Sequence, residues 1–141
     1  MFDNILVPTD LSEKSIKALE IAAGIKKNDK SNTTLIHVIE TIDDDEGDEE
    51  FRSFYDKLAT RASKKMEKII KKYRTNSFEI KSEITFGKRV DEILRFTSEN
   101  GVDLIILSSH KINDITAGSG WATISYRVGI LAQCPVMMVK L

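Results

Sequence analysis

Two short apolar runs, one near each end of the chain, constrain its fold more than any other feature. Ile5-Leu6-Val7 and Leu104-Ile105-Ile106-Leu107 are almost unbroken, and each stops abruptly in small polar residues. A strand with one wet face alternates apolar and polar side chains, whereas a strand covered on both faces has no such need. Both runs therefore fit the interior of a parallel sheet with helices on either side. In open α/β sheets the ligand crevice lies beyond the carboxyl ends of the strands, where the strand order reverses. Thr9-Asp10 and Ser108-Ser109-His110 stand at such ends, and function is expected there.

Strand and helix patterns alternate along the rest of the chain. Residues 2–8 read as the first strand. Asp10-Leu11-Ser12-Glu13 offers a helix start with Ser12 the better-placed cap, and Ile16, Leu19, Ala22 and Ile25 follow at helical spacing. Residues 33–39 are rich in β-branched side chains and read as the second strand. Phe51, Tyr55, Leu58, Ala62, Met66, Ile69 and Tyr73 trace the apolar stripe of a long helix, with its lysines, Lys57 to Lys72, on the wet face. Residues 78–86 alternate as a more exposed third strand. Val90, Ile93 and Leu94 mark a third helix, which Asn100-Gly101 closes. Residues 103–107 form the fourth strand, a helix covers about 122–132, and residues 136–140 form the fifth. With right-handed crossovers this order predicts one domain, a doubly wound parallel sheet with helices on both faces.

Composition narrows the function. At 141 residues the chain is large enough to bury a core without staples, and a net charge of -1 argues against a chain-wide basic surface for nucleic acid. The lone cysteine, Cys134, has no disulfide partner in the chain, as expected for a reducing compartment. No apolar stretch approaches the roughly 18 residues needed to cross a membrane, and Asp3 and Asn4 interrupt any signal-peptide pattern. A cytoplasmic protein is expected. The run from Asp43 to Glu50 is densely acidic but lacks the spaced ligands of a calcium loop, so it reads as a solvated loop leading into an acidic helix start.

Set in order, these segments resemble the universal stress protein family over essentially the whole length. Ile5-Leu6-Val7-Pro8-Thr9-Asp10-Leu11-Ser12 is similar to the family's opening strand and turn, and Leu35-Ile36-His37-Val38-Ile39 to its second strand. Gly87-Lys88-Arg89-Val90-Asp91-Glu92-Ile93 resembles the glycine-led start of its third helix, with Arg89 where a proline often stands. Residues 102–107 and Cys134-Pro135-Val136-Met137-Met138-Val139 match its last two strands. The resemblance implies a five-stranded sheet of order 3-2-1-4-5, of the adenine nucleotide alpha hydrolase-like type. It also implies a homodimer paired through the last strand, where Val136, Met137, Met138 and Val139 form an apolar edge. The other reading of that edge is a strand blunted by Lys140 and the chain end.

Family members that bind ATP carry glycines after the fourth strand and at the start of the last helix. Glycine lets backbone N–H groups approach phosphate, and the helix N-terminus adds positive dipole. In this chain those glycines fall on Ser108, Lys111 and Ala122. Other parts of the implied site are present. Pro8, Thr9 and Asp10 end the first strand, with Asp10 where the family places an acid near the nucleotide. Val38 stands where backbone atoms contact adenine. Leu107, Ser108, Ser109, His110 and Lys111 follow the fourth strand, and Ala122, Thr123, Ile124 and Ser125 open the last helix, with phosphates expected near both groups. Gly118-Ser119-Gly120 is a second place for an anion nest. Each has a bland counterpart: Asp10 and Ser12 as helix caps, His110 as a turn residue, His37 as a strand histidine satisfied locally, and Trp121 as a plug over the sheet.

No Walker lysine motif is present, and Cys134 has no evident histidine partner, so a dedicated enzyme is not expected. Two readings result. One is a stress-response regulatory domain binding ATP or another adenine nucleotide, with Mg only if ATP is bound. The other is a stress-response protein that acts through protein partners without nucleotide.

Overall fold

The computed structural model describes residues 2–25, 31–41, 49–75, 78–109 and 121–140. Five parallel strands form one sheet in the order β3-β2-β1-β4-β5. They are β1 (Asn4–Pro8), β2 (Asn32–Ile39), β3 (Ile80–Phe86), β4 (Leu104–Ser109) and β5 (Val136–Lys140). The helices between them are α1 (Lys17–Ile25), α2 (Glu49–Tyr73), α3 (Arg89–Glu99) and α4 (Trp121–Leu131), with a 3-10 turn, Glu13–Ile16, leading into α1. The expected doubly wound order is therefore realised.

Each central strand splits its side chains between two cores because successive residues point to opposite faces. Ile5, Val7, Leu35 and Ile106 join Leu19 of α1 and Met66 and Ile69 of α2 on one face. Leu6, Ile36, Ile105 and Leu107 join Val90 and Ile93 of α3 and Ile124 and Val128 of α4 on the other. The unbroken apolar runs in β1 and β4 are thus explained: Ile5 to Val7 and Leu104 to Leu107 are all buried.

Several boundaries differ from those the sequence predicts, each for a local reason. β3 begins at Ile80 because Phe78 first makes an antiparallel bridge with Thr75. β4 runs on through Ser109 because Val139 and Lys140 of β5 pair with Ser108 and Ser109. Asp103 stands outside β4. Its carboxylate accepts the backbone N–H groups of Asp3 at 2.8 Å and Asn4 at 3.0 Å, while Asn4 Nδ2 donates to the Gly101 carbonyl. The amino ends of β1 and β4 are stitched together in this way. Gly101, at φ 61°, ends α3 as expected, and Val102 N–H closes the turn onto the Thr97 carbonyl.

Gly87 carries a stronger requirement. Its φ is +143°, and a Cβ there would lie 2.7 Å from Glu92 Oε1. Gly87→Ala is expected to cost about 1–3 kcal/mol in urea unfolding. Gly24 of α1 has nothing within 4 Å of an added Cβ, and Gly24→Ala is expected to stabilise by about 0.4–1 kcal/mol. Equal effects at the two positions would contradict this account.

Candidate functional site

The sheet register sets where each strand ends. β1 pairs with β2 as far as Pro8↔Ile36, but β2 continues to Ile39 alongside β3. β1 pairs with β4 only at Ile5↔Leu104 and Leu6↔Ile105, after which β4 continues beside β5. The sheet therefore opens between β1 and β4, at the point where the strand order reverses. On the β2 side of this opening, the step beyond Pro8 is filled by the turn after β1.

That turn is held by its own polar side chains. Thr9 N–H donates to the Ile36 carbonyl at 2.9 Å, and Leu11 N–H donates to Thr9 Oγ1 at 2.9 Å. Ser15 Oγ donates to the Ser12 carbonyl at 2.8 Å, which leaves Thr9 as the donor in its 2.5 Å contact with Ser15 Oγ. Asp10 Oδ1 accepts both the amide and the hydroxyl of Ser12, at 2.9 and 2.6 Å. Ser12 does occupy the cap position of the 3-10 turn, but its side chain makes no cap bond. Ser12 is thus the cap by position, as expected, with its hydroxyl engaged by Asp10 rather than by the backbone of the turn. Leu11 is held at φ 68°, and among the described residues it is the one non-glycine in the left-handed region. For a residue with a bulky side chain that conformation is costly, and it persists only where surrounding bonds fix it.

Above this turn lies a cleft of about 610 Å³. Asp10, Leu11 and Ser12 form one wall, and the end of β2, from His37 to Glu40, forms the floor. Leu58, Arg61, Ala62 and Lys65 of α2 form the opposite wall at helical spacing, and Arg89 closes one end. A smaller cavity of about 260 Å³ lies near the amino ends of the strands, beside Asn4, Asn32 and Asn100. It is remote from the switch point.

His37 Nδ1 lies 2.9 Å from the Thr9 carbonyl, which can only accept, so Nδ1 carries the proton and Nε2 is left as an acceptor. The local satisfaction expected of this histidine is what the geometry shows. Burial is the largest influence on the ring and lowers its pKa below the ordinary 6.5; Arg89 and Lys65 lower it further, while the Thr9 bond and Asp10 act in the opposite sense. A depressed pKa favours the neutral ring in the folded state. The stability it contributes is complete above 6.5 and is lost as pH falls through the folded-state value. Urea unfolding at about pH 7.5 and about pH 5.5 is expected to show a larger loss in the wild type than in His37→Asn. An equal loss in both would contradict it.

The residues expected at the site divide by position. Asp10 and Val38 both line the cleft. Pro8, Thr9, Leu107, Ser108, Ile124 and Ser125 are buried and do not line it, and Ser125 Oγ donates to the Ser108 carbonyl at 3.5 Å. Ser109 and the residues Ala122 and Thr123 are placed by their backbone, at the end of β4 and the start of α4. His110, Lys111 and Gly118–Gly120 lie outside the described residues, as does most of the acidic run. His37, Arg61, Lys65 and Arg89 line the cleft without having been expected there. The available signal was the pair Arg61 and Lys65 flanking Ala62 of the apolar stripe, at positions that share one helix face. Among the described residues, no three His, Cys, Asp or Glu side chains gather to hold a metal ion. Cys134 is a poor nucleophile: burial and the nearby Asp103 carboxylate both push its thiol pKa up.

A parallel sheet of this order, opened at its switch point and covered by helices on both faces, defines a Rossmann-like α/β protein with a cleft at the carboxyl ends of its strands. The sequence assigns it further: residues 1–140 match the family described as the universal stress protein family, and the chain belongs to it. It is 30% identical to universal stress protein MJ0577 of Methanocaldococcus jannaschii, over 99% of this chain and 96% of that protein. The solved structure of MJ0577 superposes with a TM-score of 0.85 at 32% identity, over 100% of this chain and 97% of that one. Universal stress protein YxiE of Bacillus subtilis is 28% identical over 99% of this chain and 100% of its own length. A universal stress protein from Archaeoglobus fulgidus, solved in complex with dAMP, shares the fold at 15% identity and a TM-score of 0.70, over 99% of this chain and 98% of that one.

Proposed function

We propose that the protein is a cytoplasmic stress-response regulator that binds an adenine nucleotide across the carboxyl ends of β1 and β4. The observation that carries this reading is the 610 Å³ cleft, which brings Asp10 and Val38 together. Its size suits a nucleoside. The fold holds dAMP in the Archaeoglobus relative, which makes an adenine nucleotide the first ligand to test. Adenine lies near Val38, and the phosphates extend toward residues 109–111 and the start of α4, with Mg entering only with ATP. The domain spans the whole chain and carries no dedicated catalyst. It dimerises through β5, whose Met137 and Met138 are 37% and 40% exposed, on a chain that also exposes Tyr126 and Ile130 of α4, at 62% each.

A specific observation favours the second reading, action through protein partners without nucleotide. Ser108 stands in regular strand, paired with Val139, and is buried, at a position where a glycine would otherwise open the backbone. Native mass spectrometry of gently purified protein separates the two. Nucleotide near one per chain, or a clear thermal shift with added ATP, is expected. Neither signal at millimolar ATP would leave the partner reading in its place.

A further inference from the structure

The α2 side of the cleft holds more positive charge than a base and a ribose require. Arg61 and Lys65 stand one helical turn apart on its wall, and neither has an ion-pair partner among the described residues. Arg89 reaches in from α3, held to Glu40 at 3.8 Å between largely solvated side chains. Asp10 faces the same space, but its Oδ1 is engaged by Ser12. The phosphate chain proposed above runs the other way, past the switch point toward β4 and α4. Arg61 and Lys65 are therefore left without an ion-pair partner among the described residues, while Arg89 has Glu40.

We propose that this wall is a second anion subsite, and that the ligand is an adenine nucleotide bearing a phosphomonoester on its ribose as well as its 5′-phosphate. The inference rests on the nucleotide reading above and names the ligand class within it. Arg61 and Lys65 supply the charge-assisted donors, and a guanidinium fork matches the spacing of phosphate oxygens. His37 adds proton coupling. Its Nδ1 is committed to Thr9, so Nε2 is the atom that takes up a proton. Burial and the cations on α2 and α3 disfavour that proton, and Asp10 alone among the facing charges favours it. A dianion set among these groups reverses the balance, so binding draws a proton onto His37 and tightens as pH falls.

The experiment is calorimetric titration of the full chain with AMP, adenosine 2′,5′-bisphosphate and adenosine 3′,5′-bisphosphate, the last two distinguishing the ribose position. One bisphosphate is expected to bind about tenfold more tightly than AMP, with the gap widening between about pH 7.5 and about pH 6. The Arg61→Gln/Lys65→Gln variant is expected to lose that advantage while keeping its affinity for AMP, and its thermal unfolding verifies the fold. AMP binding with no gain from either bisphosphate would overturn the subsite and leave the nucleotide reading standing. An AMP affinity that falls in the double variant would place the 5′-phosphate itself on this wall, which overturns it too. No binding of any of the three overturns both readings.

Discussion

Leu6→Ala is expected to lower the unfolding free energy by about 2–5 kcal/mol, read by urea or guanidinium unfolding. Leu6 is fully buried in the middle of β1, with neighbours β2 and β4 on either side and the α3–α4 core above it. Removing three carbons there leaves a cavity that two flanking strands cannot close, because their own hydrogen-bond ladders fix their spacing. Domains of this size are stable by only about 5–15 kcal/mol, so the loss is a large share of the total. Phe54→Ala, at a larger but 55% exposed side chain of α2, is expected to cost under about 1 kcal/mol. A loss at Leu6 no larger than at Phe54 would mean that this face of the sheet is not the packed core described.

The second large effect concerns assembly. Met138→Lys is expected to weaken the proposed dimer by at least about 100-fold, measured by analytical ultracentrifugation across a concentration series. Met138 lies on the sheet face covered by α4, its Cε close to Gly129, and is 40% exposed on the edge strand. In a dimer paired through β5, the two-fold axis brings a second copy of the same patch against it, so one substitution places two ammonium groups in one apolar contact. In the monomer the lysine reaches water freely, and thermal stability should hardly change. A dimer of unchanged affinity would exclude β5 and the adjoining face of α4 as the interface.

The fold was legible because its signals are local. β1 and β4 announce themselves by apolar runs, α2 by its stripe, and the end of α3 by Asn100-Gly101. Element edges were harder, since they depend on partners: β4 reaches Ser109 only because β5 is there to pair with it. The cleft was half legible. Asp10 follows from the rule that crevices form beyond strand ends, and Val38 from the family resemblance alone. Arg61, Lys65 and Arg89 follow from neither, because helical periodicity reveals which residues share a face but not what that face overhangs. How far α2 slides across β2 is set by packing among Ala62, Met66 and the sheet, a tertiary quantity that no window of sequence contains. The chemistry that Arg89 adds became visible only once its side chain was seen at the end of the cleft.

The stitching at Asp103 has a consequence for how such a protein can change over generations. It fastens β1 to β4 at their amino ends, on the far side of the sheet from the cleft. Substitutions around the carboxyl ends therefore test the ligand, while those around Asp103 test the architecture, and the two kinds of trial interfere little with one another. A lineage built on this plan is free to vary the side chains around the crevice and still inherit the same sheet.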